Sequence, residues 1–71
     1  MTFSMFDVVV LAEDIPSMSL KGGMQGTVIE VHLHPRLAYE VEFCDDNGAT
    51  IATLSLYPEQ LREKPAWSKP A

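Results

Sequence analysis

Seventy-one residues with one cysteine leave room for a single small domain. A chain this short buries only about 60% of the surface its unfolded form exposes, which argues against a deep substrate cavity and against an enzyme. The formal net charge is −5, and nine of the ten acids precede Arg62, where Lys21 and Arg36 are the only bases; such a body repels phosphate backbones, so nucleic acid is not an expected ligand and a basic protein is a compatible one.

Residues 1–5 read as a loose lead-in. Phe6 to Leu11 is an apolar run broken only by Asp7, short and β-branched enough for a buried strand. Pro16 removes a donor and biases Ile15 away from the helical region, so the strand ends before it. Residues 14–25 are too short and too rich in Pro and Gly for a helix. They are expected to form an excursion loop anchored inward by Ile15, Met18 and Leu20.

Gly22, Gly23 and Gly26 form a hinge that launches the central strand, where close backbone approach or positive φ would forbid a Cβ. That strand is expected from about Gly26 to His32 or His34. Strict alternation puts Ile29, Val31 and Leu33 on one face and Val28, Glu30, His32 and His34 on the other. Pro35 stops it, and Pro35 to Leu37 reverse the chain. Ala38 to Cys44 alternates most clearly, with Tyr39, Val41 and Phe43 inward and Glu40 and Glu42 in water.

Asn47-Gly48 between two strand-like runs is a strong hairpin signal. Thr50 to Leu56 is the fourth strand. Tyr57 to Leu61 reads as one helical turn with Pro58 at its first position, and Leu61 to Glu63 as a closing strand. Residues 64–71 hold two prolines and no periodicity, and read as a flexible tail. Four or five short strands, one long loop and a single turn before the last strand describe an all-β, SH3-like five-stranded barrel over residues 6–63. Closure of such a barrel would leave few exposed edges.

Two resemblances bear on this. Gly23-Met24-Gln25-Gly26-Thr27-Val28 resembles the G-x-x-G-x-V core of KOW-type domains, SH3-like barrels of ribosomal proteins and elongation factors. The basic residues those domains turn toward RNA are absent here. A longer resemblance runs from Asp7 to about Arg62. It is carried by Asp7-Val8-Val9-Val10-Leu11, Glu13-Asp14-Ile15-Pro16, Leu20-Lys21, Gly26-Thr27-Val28, Tyr39-Glu40-Val41-Glu42-Phe43, Asn47-Gly48 and Gln60-Leu61-Arg62. These stretches look like a family of small bacterial proteins, common in cyanobacteria and designated only as a domain of unknown function. The resemblance implies a stand-alone barrel and suits a toxin-neutralising, immunity-like role.

The chemistry within reach is limited. His32 and His34, with Glu30 beside them and Glu40 and Glu42 expected across from them, could ligate zinc; a solvated polar strand face is the plainer account. Cys44 should point outward beside Asp45 and Asp46, acids that make a poor nucleophile of a thiol. The three glycines lack a following helix and the G-K-[ST] of a phosphate loop, so turn geometry explains them better. No cofactor is expected. The largest non-random feature is the acidic set Glu30, Glu40, Glu42, Asp45 and Asp46. It suits a basic protein partner, with Trp67 as a possible hydrophobic anchor. A monomer or weak homodimer is expected. With no paired cysteines, no leader and no apolar run of membrane-spanning length, the cytoplasm is the expected compartment.

Overall fold

A computed structural model of the chain describes residues 2–64. Its centre follows from side-chain alternation. In β3 (Ala38–Cys44), Tyr39, Val41 and Phe43 are all 0% exposed, while Glu40 and Glu42 emerge on the opposite side. β-Branched and aromatic residues favour this half-buried pleat, and the period of two keeps the glutamates wet. β4 (Thr50–Leu56) repeats the pattern with Ala52 and Leu56 buried and Leu54 packed against them.

β1 (Val8–Leu11), β2 (Gln25–His32) and β5 (Leu61–Glu63) complete one antiparallel sheet in the order β4-β3-β2-β1-β5. No ladder joins β4 to β5 among the described strands, so the sheet is open where a closed barrel was expected. Among the described residues no helical layer covers the sheet, and the regular structure outside it is two 3-10 turns, Pro16–Met18 and Pro58–Gln60. Even so, residues of all five strands reach one buried cluster. The sheet therefore curls around its own inner face, with Leu20 from the excursion loop filling the core at 1% exposure.

Loop chemistry explains the connections. Ile15 and Leu20 exchange backbone hydrogen bonds at 2.9 and 3.2 Å, closing a small ring around Pro16–Met18. Met18, expected to anchor the loop inward, is instead 42% exposed, because it lies in the turn at the tip of the ring that the Ile15–Leu20 bridge closes. In the next turn Gly23 takes φ +93°, and its N–H donates to Leu11 C=O at 2.7 Å. Gly26 has a different reason to lack a side chain. A Cβ there would stand 2.5 Å from Val41 Cγ1 and 2.9 Å from Phe43 Cε1.

One expected boundary and one expected set of strand faces shift. β1 starts at Val8 rather than Phe6, because Phe6 sits at φ 70°, a left-handed conformation that cannot continue a strand. In β2 the faces are not those of strict alternation. Val28 pairs with Val41 and is fully buried, yet Glu30 pairs with Glu40 and Val31 with Tyr39. Ile29 is thus an extra residue, a β-bulge that resets the parity. Val28 and Val31 both reach the core side, while Glu30 and His32 stay exposed.

Phe3, in the stretch expected to be a loose lead-in, packs against the core and donates its N–H to Tyr39 Oη. The expected tail lies, beyond Lys64, outside the described residues, as does Trp67.

Candidate functional site: an acidic face and its groove

The curl buries one face of the sheet and turns the other, with Glu30, Glu40 and Glu42, to water. β2 and β3 set the pattern: Glu30 lies opposite Glu40, and Glu42 opposite Thr27. Like charges directly opposite on a strand pair are unfavourable, and neighbouring donors offset this here. Glu40 Oε1 accepts from Ser55 Oγ at 2.8 Å and lies 3.4 Å from His32 Nε2. Glu42 accepts from Thr50 Oγ1 at 2.9 Å. Glu30 Oε1 accepts from the Val31 N–H at 3.2 Å.

Beyond β3 the chain turns at Asp45. Its Oδ1 accepts from the N–H groups of Asn47 and Ala49 at 2.9 and 3.0 Å, and the Gly48 N–H donates to its carbonyl at 3.0 Å. Gly48 takes φ +83°, giving a hairpin of three connecting residues with the glycine last. Asp45 is thus first a turn-forming residue, and it is exposed at the turn. Asp46 follows it at the turn and is exposed.

A groove of about 590 Å³ runs along this face. Val8, Met24, Thr27 and Cys44 contribute its less polar lining, Glu42, Asp45 and Asp46 its negative charge, and Lys64 its single base. Of the five acids expected to act together, three line the groove, while Glu30 and Glu40 lie further along the sheet. Among the described residues the ion pairs are His32–Glu40 and Arg36–Glu59, so no Lys or Arg pairs with any of the five. Val8, Met24 and Lys64 escaped sequence reasoning because they join the site only through the β1–β2 ladder and the end of β5, pairings that leave no local mark.

The grouping that could have held a metal is not assembled. His32 lies diagonally from Glu40, but Glu42 is displaced to Thr27, and His34 has left the strand for a turn with a cis His34–Pro35 peptide. Among the described residues, no cluster of three or more His, Cys, Asp or Glu side chains is placed to share a cation. The glycine turn is not an anion cradle. The Gly22 N–H donates to Asp14 Oδ1 at 2.8 Å, and the Gly23 N–H is taken by Leu11, so a carboxylate already occupies the nearest donor. Cys44 is exposed at the groove.

At the other end of the face, Arg36 lies 3.8 Å over the Tyr57 ring and pairs with Glu59. The guanidinium hydrogen bond holds the Glu59 carboxyl below its ordinary range, and the carboxylate in turn raises Arg36.

The fold and this face define a small all-β domain with an acidic, grooved outer surface. The chain belongs to the family described as Domain of unknown function (DUF4926), whose model matches residues 5–63. Comparison with curated proteins and with solved structures found no match. Among the described residues no helix is long and apolar enough to cross a membrane.

Proposed function

We propose that this chain is a non-enzymatic, cytoplasmic protein-binding module with SH3-like barrel topology, in which Glu30, Glu40, Glu42, Asp45 and Asp46 engage a Lys- or Arg-rich surface of a partner protein. The neutralising of a basic partner, as an antitoxin or immunity protein does, or service as an accessory subunit of that partner, is the specific form of this reading. The observation that carries it is the set of outward carboxylates that, among the described residues, form no ion pair with Lys or Arg, with Glu40, Glu42 and Asp45 held by Ser55, Thr50 and the turn. Prepositioned charges of one sign raise association rates and orient a complementary surface. The groove supplies less polar area beside the charge for a contacting side chain. A KOW-like RNA-associated role fits the glycine pattern, but Glu42, Asp45 and Asp46 beside Gly26 would repel a phosphate backbone.

The test compares protein capture from host extract by the immobilised wild type and by Glu40→Lys/Glu42→Lys, each at low and high salt. Binding by the wild type that is lost in the variant, and lost above physiological salt, supports the reading, since charges are screened over about 8 Å there. Equal capture in all four conditions makes the face ordinary solvated surface. Binding of an RNA probe by the wild type would favour the ribosome-associated alternative.

A further inference from the structure

The sheet has two edges, and they differ in kind. β5 is a three-residue edge carrying Arg62 and Glu63, protected by its shortness and charge. β4 is a seven-residue edge, Thr-Ile-Ala-Thr-Leu-Ser-Leu, with no ionisable residue and no proline. Its only protective irregularity is the register shift at Ile51, which leaves Ala52–Leu56 regular. The outward backbone groups of that stretch have no ladder partner among the described residues.

We infer that β4 is a self-association edge, on which a second copy of this chain pairs antiparallel about a two-fold axis at Leu54. The occupant follows from the strand itself. Centred on Leu54, the sequence is self-complementary. Thr53 meets the partner copy's Ser55 on the outer face, a hydroxyl pair of the kind that favours cross-strand pairing. Ala52 meets Leu56 on the inner face, small against large. The half-buried Leu54 meets its own copy, and the exposed Ile51 and Tyr57 (48% and 43%) come together at each end.

Charge selects the same edge. A chain of net charge −5 resists its own copy wherever carboxylates would be brought close. In this arrangement Glu40 and Glu42 of one β3 stand three strand spacings from those of the other. That is about 14 Å at about 4.8 Å per strand, beyond the screening length of about 8 Å. A five-residue ladder is short, so the dimer is weak and forms at high protein concentration.

The experiment is sedimentation velocity of the full chain from micromolar to millimolar concentration, with amide NMR shifts recorded over the same dilution. The wild type should shift from monomer toward dimer, with the largest changes at Ala52–Leu56. Thr53→Lys/Ser55→Lys should stay monomeric. In the monomer each lysine faces a glutamate across β3, since Thr53 pairs with Glu42 and Ser55 with Glu40. In the dimer each would face a lysine. A wild type that remains monomeric at millimolar concentration overturns the inference. So does a dimer whose shifts lie away from β4, or one that the double variant forms equally well. The wild-type NMR map decides the matter even if the variant folds poorly.

Discussion

The Phe3 N–H donates to the Tyr39 hydroxyl at 2.9 Å, and the two rings meet edge to face with centroids 5.4 Å apart. Tyr39 is fully buried, so its hydroxyl, which needs a partner, finds it in a residue before the first strand. Phe3 thereby covers one end of the core with its ring as well as with its backbone.

Two substitutions separate these contributions. Tyr39→Phe removes the hydrogen bond and keeps the rings, and should cost about 0.5–1.5 kcal/mol. Phe3→Ala keeps the backbone donor and removes the ring contact, and should cost about 1–2 kcal/mol. Urea unfolding of both variants is the measurement. If Phe3→Ala leaves the midpoint unchanged, the segment before β1 is not part of the folded unit.

Gly26 is a steric requirement, and the obstacle is known. Gly26→Val should lower stability by about 1–3 kcal/mol through overpacking against Val41 and Phe43. Because Val41 Cγ1 is the nearest atom at 2.5 Å, Gly26→Ala should cost less in a Val41→Ala background than in the wild type. Strict additivity in that double-mutant cycle would mean the strand relieves the clash by moving.

The Asp45 turn gives two neighbouring acids different expected behaviour. Asp45→Ala loses the acceptor for two backbone N–H groups and should cost about 1 kcal/mol. Asp46→Ala touches no described hydrogen bond and should fall within about 0.5 kcal/mol of the wild type. Thermal unfolding of the pair checks this, and equal losses would mean the turn does not depend on the Asp45 side chain.

Glu59 links stability to pH. Its folded-state pKa lies below the ordinary value of 4.5, chiefly through the Arg36 hydrogen bond. A depressed carboxylate contributes stability that is fully present above its unfolded pKa and is lost as pH falls through the folded one. Glu59→Gln should therefore be slightly less stable than the wild type at neutral pH, and the difference should close in acid, below the ordinary carboxylate range. Both partners are exposed, so the effect is small and molar salt should shrink it. Urea midpoints across pH, with a gap that persists in strong acid, would assign the difference to something other than ionisation.

The legible parts of this fold were those with local causes. β3 and β4 span Ala38–Cys44 and Thr50–Leu56 as alternation suggests, and Pro58 opens its turn where its fixed φ is tolerated. The faces of β2 were not legible. The bulge at Ile29 depends on how Glu30 and Val28 meet β3, and nothing in Val28-Ile29-Glu30-Val31 distinguishes a bulged run from a regular one. The same holds at the site. The outward direction of Glu40 and Glu42 follows from their own strand, whereas the groove needs Val8 and Lys64, brought in from opposite ends of the chain. Phe6 escaped notice because its left-handed backbone contradicts its residue type.

The pairing of Val9 with Glu63 also sets the order in which the molecule can be completed on the ribosome. As the chain emerges, the β1–β2, β2–β3 and β3–β4 ladders can each form between neighbouring segments. The outer side of β1 must wait for β5. Until Leu61–Glu63 is available, the nascent protein presents Val9, Val10 and Leu11 along an incomplete edge, so the sheet passes through its most aggregation-prone stage between the β3–β4 ladder and the arrival of β5.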